Sequence, residues 1–175
     1  MANYWRSCGS CYYIAINFAT TRWSNPCGTF GNINIEAVDQ FIVRDTYTWA
    51  NLLLIVPTNT LNGATTIRSR VNAVNGNMSL SVAAAATGTF EDTTNSDSLV
   101  DGSLFVYQIA TGGTAGTFYM TTISSTLSTV ANNTPIIGSG FGSTILAGVT
   151  TYMPLAVKQL TGLAEFIISN LLRLR

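Results

Sequence analysis

Apolar and polar residues alternate with a period of two along much of this chain, which is the pattern of half-buried β-strands. In segment 78–82, Met78, Leu80 and Val82 alternate with serine, so we expect these three side chains to face a core. Segment 65–72 alternates in the same way and places Arg68 and its even-numbered neighbours on a polar face. Residues with strand patterns are 12–18, 33–35, 41–43, 52–56, 65–72, 78–82, 104–109 and 118–127.

Turn-forming residues separate these strands. The dipeptide Asn62-Gly63 is the type favoured in tight hairpins, and a second Asn-Gly pair stands at 75–76. The polar segment 91–98 is expected to be a loop, and 99–103 a turn. About eight short strands with turns between them predict an all-β fold, specifically a jelly-roll-like antiparallel β-sandwich with an appended C-terminal arm.

Composition changes along the chain and indicates four parts. We expect a Cys- and aromatic-rich N-terminal segment (1–30), the β-sandwich (31–127), a Gly/Ser/Thr-rich linker (128–150) and the C-terminal arm (151–175). The arm shows a weak similarity to residues 40–53, which would make it a partial repeat of the opening strands. Chance similarity between two apolar strands is the favoured interpretation. Such an arm cannot bury its own apolar face, so it must pack on the domain or on another subunit. The arm residues expected to mediate assembly are Leu155, Phe166, Ile168, Leu171, Leu172 and Leu174.

Charge is unusually scarce. Only 9% of residues are charged and the net charge is zero, whereas about 25% is typical of soluble domains. The surface must therefore be built mostly from neutral Thr, Ser, Asn and Gly. With no histidine, a Ser-His-Asp triad and His-ligated metals are excluded, and without a basic face nucleic-acid binding is not expected. We expect no enzyme activity and no cofactor.

Nothing in the sequence indicates membrane insertion. The longest apolar runs, 52–56 and 82–86, are far shorter than the roughly 20 residues that span a bilayer. The N-terminal residues lack a basic region followed by an apolar one, so we expect no secretory signal. A neutral, Thr/Ser/Asn-rich surface is typical of proteins that work outside cells. A virion or an extracellular assembly fits both the expected lack of a secretory signal and this surface composition.

Three cysteines lie near the N-terminus: Cys8, Cys11 and Cys27. Structural zinc usually takes four Cys or His ligands, and the chain offers no fourth. A redox C-x-x-C pair belongs at the start of a helix, but 10–18 has a strand pattern. A disulfide from Cys27 to one of the pair, or three unreactive thiols, are the favoured interpretations.

Acidic residues concentrate between Glu91 and Asp101. Their oxygens could bind Ca²⁺, but a solvated turn with Asx hydrogen bonds is the favoured interpretation because no EF-hand pattern is present. Glu91 and Asp92 are adjacent, so on a strand they would point to opposite faces, which disfavours a glycosidase pair.

Tryptophans lie in the first third of the chain. Trp5, Trp23 and Trp49 are candidates for contact with a sugar or a partner. Packing inside the protein or between subunits is the favoured alternative.

Four segments, 59–66, 70–77, 87–98 and 107–114, resemble a loose class of β-sandwich domains found in phage-like and environmental structural proteins. The resemblance covers roughly 59–127 and implies a surface or fibre component of a virion or extracellular assembly, with no catalytic residues.

From these observations we expect a structural protein of a symmetric assembly, a virion decoration, fibre or tail component. Its partners would be copies of itself and other virion proteins. The alternatives are an extracellular filament subunit assembled by strand complementation and a carbohydrate-binding module.

Overall fold

The computed structural model describes residues 4–26, 34–129, 152–153 and 172–173. These residues form twelve β-strands and one short helix. In chain order the elements are β1 (Tyr4–Asn17), β2 (Thr21–Ser24), α1 (Glu36–Asp39), β3 (Phe41–Ile42), β4 (Tyr47–Val56), β5 (Thr58–Asn59), β6 (Thr65–Val71), β7 (Val74–Val82), β8 (Gly88–Leu99), β9 (Leu104–Thr111), β10 (Thr117–Thr129), β11 (Tyr152–Met153) and β12 (Leu172–Arg173).

Two antiparallel sheets pack against each other. The first has the strand order β1-β10-β4-β8, with β5 also on β10, and the second has the order β2-β9-β6-β7, with β3 also on β9. Without the two-residue strands β3 and β5, these two sheets contain eight strands. They pair first with last, second with seventh, third with sixth and fourth with fifth. This is one long hairpin rolled into a sandwich, which is the connectivity of a jelly roll. The all-β sandwich prediction is confirmed.

The sandwich extends further in both directions than the sequence indicated. β1 and β2, which fall in the predicted N-terminal segment, are strands of the two sheets, and β10 continues to Thr129. The described part of the domain therefore starts at Tyr4. Of the C-terminal arm, the structure describes the backbone of β11 and β12, which pair with each other.

β4 has a bulge in its middle, so that apolar side chains on both halves of the strand face the same core. Tyr47 and Trp49 are buried before it, and Leu52 and Leu54 after it, so the buried positions change from odd to even. Asn51 absorbs the extra residue with a φ of 55°, a left-handed conformation that asparagine tolerates better than most residues.

The core contains a polar link between the sheets. Trp49 stacks on Phe105 with ring centroids 4.6 Å apart, and its indole Nε1–H donates a 2.8 Å hydrogen bond to the hydroxyl of Tyr107. That hydroxyl lies 2.5 Å from the hydroxyl oxygen of Ser125. Since buried polar groups are costly without partners, this chain of contacts lets a tryptophan and a tyrosine fill the core.

The period-two predictions for β6 and β7 are confirmed. Met78, Leu80 and Val82 are all buried on β7. On β6, Ile67 is buried while Arg68 is half-buried on the opposite face.

Several predictions for individual segments are wrong. Residues 91–98 belong to strand β8 rather than to a loop. Asn62-Gly63 does not turn a hairpin, because β5 pairs with β10 while β6 pairs with β7. The hairpin between β6 and β7 turns instead at Asn72 and Ala73, both with positive φ. Ile35 is not in a strand but precedes α1.

Candidate functional site at one end of the sandwich

Exposed apolar side chains concentrate at one end of the sandwich. Seven large apolar residues of the described chain are well exposed, and five of them lie in segments that meet at this end. We call these five the apolar end: Ile35, Val38, Ile42, Val74 and Val100, with exposed fractions of 53% to 64%. The other two, Phe18 and Ile55, lie elsewhere on the domain.

Strand β3 and the turn between β8 and β9 form the first part of the apolar end. Ile42 pairs with Leu104. Backbone hydrogen bonds of 2.8 Å run from the N–H of Val43 to the carbonyl of Ser103 and from the N–H of Gly102 back to Val43. These bonds hold the turn that carries Val100 beside the strand that carries Ile42.

The β6–β7 hairpin contributes Val74. Asn72 fixes the tip of this hairpin to Leu104, because its backbone N–H donates to the Leu104 carbonyl at 2.8 Å and its side-chain oxygen accepts from the Leu104 N–H at 2.8 Å. Val74 pairs with Val71 just beyond the turn and is 64% exposed.

Arg70 holds α1 against the second sheet. Its guanidinium donates two 3.0 Å hydrogen bonds to the carboxylate of Glu36 and one of 2.6 Å to Asn75. It also contacts the carbonyl of Ala73 and lies 5.6 Å from the ring centroid of Trp23. Arg70 and Glu36 are less than a fifth exposed, so this bidentate pair is stronger than an ordinary surface ion pair. It positions the segment that carries Ile35 and Val38.

Asp39 lies at the end of α1 with a buried carboxyl group. Its Oδ2 has no hydrogen-bond partner, and burial raises its pKa to about 6. Asn25 donates to the backbone carbonyl of Asp39 at 3.2 Å and so anchors the end of α1. The carboxyl group changes charge near neutral pH, next to the apolar end.

Both ends of the described sandwich lie beside the apolar end. Tyr4 at the start of β1 pairs with Ser128, and Thr129 at the end of β10 pairs with Tyr47. Tyr47 also pairs with Leu99, the residue before Val100. Thr129, the last residue of β10, therefore lies at this end of the domain.

Two of the three tryptophans singled out in the sequence are interior. Trp49 is fully buried in the core and Trp23 is 7% exposed beneath Arg70. This placement matches the packing alternative and leaves neither ring open to a sugar. The side chain of Trp5 lies outside the described residues.

The cysteines and the arm are described only in part. Cys8 and Cys11 lie in strand β1, not at the start of a helix as a redox pair would require. Their side chains and all of Cys27 are outside the described residues. Of the predicted assembly residues, Leu172 pairs through its backbone with Met153 in β11, and the side chains of all six lie outside the described residues.

The acidic segment forms a junction between the two sheets, which the sequence did not indicate. Asp92 accepts hydrogen bonds from the backbone N–H groups of Ser79, Thr94 and Asn95 at 2.9 to 3.1 Å. The bonds within 92–95 are the expected Asx type, but Asp92 and Asp97 are buried rather than solvated. The structure shows no group of three metal-ligating side chains among the residues that it describes.

Gly76, from the second Asn-Gly pair, is placed at this junction and not in a turn. A Cβ at this position would lie 2.3 Å from the Ser69 hydroxyl and 2.7 Å from Asp97 Oδ2. A side chain at this position would collide with the Ser69 hydroxyl on β6 and the Asp97 carboxylate on β8, so glycine leaves room for both groups.

The outer face of the first sheet has a small recess next to the β4 bulge. Its volume is about 10 Å³, room for about one water molecule. Asn51, Leu53, Glu91 and residues 124–126 line it.

Among the described residues, no helix combines the length and apolar character needed to cross a membrane. Comparison with known proteins finds no matching family model, no matching curated protein and no matching solved structure. The apolar end is the candidate interaction surface of the described part of the chain. Sequence reasoning missed it, although Val74 and Val100 stand next to turn residues where polar side chains are usual.

Proposed function

We propose that this protein is a structural subunit of a virion, in which copies of the chain form a symmetric decoration, fibre or tail assembly. One observation carries the proposal: five exposed apolar side chains lie on segments that meet at the end of the sandwich where β10 ends. Exposed apolar patches on soluble proteins commonly mark interaction sites.

The fold supports a structural role. Jelly rolls recur as capsid and lectin domains, although a fold alone does not determine a function. In this jelly roll the edge strands β7 and β8 are joined by Asp92 and Asp97. Side chains occupy that edge, so an added strand from another copy is not expected there.

The composition also supports close contact between copies. With 9% charged residues and zero net charge, two copies experience little electrostatic repulsion. Each copy can present neutral hydroxyl and amide groups to the environment. Apolar groups are then covered at the contacts, which is the division expected of an assembly subunit.

A second candidate, a filament subunit assembled by strand complementation, is favoured by strand β1. β1 runs for 14 residues and stands at the end of the strand order, with β10 as its neighbour. Long edge strands are templates for an added strand from another chain. The arm of a neighbouring copy would supply that strand.

Light scattering on the full chain and on a chain ending at residue 150 tests the proposal. We expect the full chain to form discrete oligomers and the shortened chain to be monomeric. Negative-stain images then separate the two candidates, because closed rings or capped particles support the virion subunit and open polymers support the filament. A monomer in both preparations would contradict both.

A further inference from the structure

We infer that the apolar end is the docking site for the C-terminal arm (151–175) of a second copy of this chain. The inference rests on the proposed function, because it names the two surfaces that would meet in the assembly. It concerns the apolar end defined above and the six arm residues predicted from the sequence.

The apolar end is structurally suited to docking, because its segments are fixed by hydrogen bonds and it has charged residues beside it. Its apolar side chains are held on hydrogen-bonded segments, α1 by Arg70 and the two turns by backbone bonds, so little ordering is needed on binding. Beside them, Arg44 and Asp101 form an exposed ion pair at 3.8 Å. An apolar centre with a polar margin is the usual anatomy of a protein interface.

The arm has matching chemistry. Residues 163–174 are mostly Leu, Ile, Phe and Ala and include two charged side chains, Glu165 and Arg173. Within the arm, β11 pairs with β12 over two residues. An isolated two-stranded unit is marginally stable in water at best, so this unit needs an apolar surface to pack on.

The length of chain between β10 and the arm allows contact with a neighbour. β10 ends beside the apolar end, and the 21 residues from 130 to 150 can span at most about 70 Å. A domain of this size has a radius of gyration of about 14 Å. The corresponding end of an adjacent copy therefore lies within reach.

A mixing experiment tests the inference with two chains that each lack one of the two surfaces. The end variant carries Val74→Glu and Val100→Glu and keeps its arm, and the shortened chain ends at residue 150 and keeps its apolar end. The matched control carries Phe18→Glu and Ile55→Glu, the two exposed apolar residues outside the apolar end. All substituted positions are exposed, and thermal melting of each variant shows whether the fold is intact.

We expect the end variant and the shortened chain each to be monomeric alone and to form a one-to-one complex when mixed, as measured by native mass spectrometry. The control should assemble like the full chain. The inference is overturned if the end variant still assembles, or if the two monomers fail to combine on mixing. If the inference fails but the unmodified full chain still forms oligomers, the proposed function is not contradicted. If the unmodified full chain is monomeric, the proposed function is contradicted as well.

Discussion

The carboxylate of Asp92 accepts a 2.9 Å hydrogen bond from the backbone N–H of Ser79 and so connects the two sheets at their shared edge. Asp92 lies on β8 in the first sheet and Ser79 on β7 in the second. Nearby on the same two strands, the carboxylate of Asp97 accepts a 2.7 Å hydrogen bond from the backbone N–H of Asn77. Side chains thus occupy backbone donors that would otherwise lie at an open strand edge, which protects this edge from pairing with other chains.

Replacing Asp92 by alanine should destabilise the domain by about 2–4 kcal/mol, because several N–H groups lose their acceptor in a buried site. Urea unfolding monitored by tryptophan fluorescence measures the change. Asp101→Ala is the matched control, since Asp101 is exposed and its replacement should change stability by less than about 0.5 kcal/mol. Equal effects of the two substitutions would contradict the junction.

The same carboxylate makes the domain sensitive to acid. Burial alone would raise the pKa of Asp92, but the hydrogen bonds from Ser79, Asn95 and Thr94 outweigh burial and hold the pKa below its usual value of 3.8. A lowered pKa contributes stability above the unfolded-state pKa, and this contribution is lost as the pH falls through the folded-state pKa. Asp92→Asn should therefore flatten the stability profile below about pH 4. An unchanged acid limb would contradict this assignment.

Asp39 has the opposite dependence on pH. Its pKa is raised to about 6 by burial, so its contribution to stability is present below the unfolded-state pKa and is lost as the pH rises through about 6. Asp39→Asn should stabilise the domain by about 1–2 kcal/mol at pH 7.5 and by much less at pH 4. Denaturant unfolding at the two pH values measures this. A stabilisation that is equal at both values would show that Asp39 does not titrate in this range.

The hairpin between β6 and β7 contains a residue in an unfavourable conformation. Ala73 has a φ of 62°, which costs an L-residue with a Cβ more than glycine. Ala73→Gly should therefore stabilise the domain by about 0.5–1 kcal/mol, as measured by thermal unfolding. The control Ala84→Gly, at a position without positive φ, should destabilise slightly. A loss of stability in both would contradict the turn geometry.

Tyr107 links the sheets through its hydroxyl. Tyr107→Phe removes the acceptor of the Trp49 indole N–H and should cost about 1–3 kcal/mol, because a buried donor is left without a partner. Tyr119→Phe, on a half-buried position of β10, provides a comparison with the same chemical change. Denaturant unfolding measures both, and a Tyr107→Phe variant as stable as the parent would contradict the link.

The sequence predicted those parts of the fold in which side chains alternate locally. The buried faces of β6 and β7 follow directly from period-two patterns, as in Met78, Leu80 and Val82. The class of fold followed from the number of such strands. These predictions hold because each rests on residues within one strand.

Predictions failed where partners distant in the chain decide the structure. The acidic residues of β8 look like a loop in the sequence, but the N–H groups of Ser79 and Asn77, on another strand, donate hydrogen bonds to Asp92 and Asp97. Asn72 turns a hairpin without a glycine because Leu104 fixes it from β9. The apolar end was missed for the same reason, since its five residues come together only through the topology.

The mass distribution of the full chain in solution tests the central claim most directly. Sedimentation velocity across a range of concentrations should show discrete species at multiples of the 18.7 kDa chain mass, since we propose that another copy covers the apolar end. A single species at the chain mass at every concentration would contradict the account.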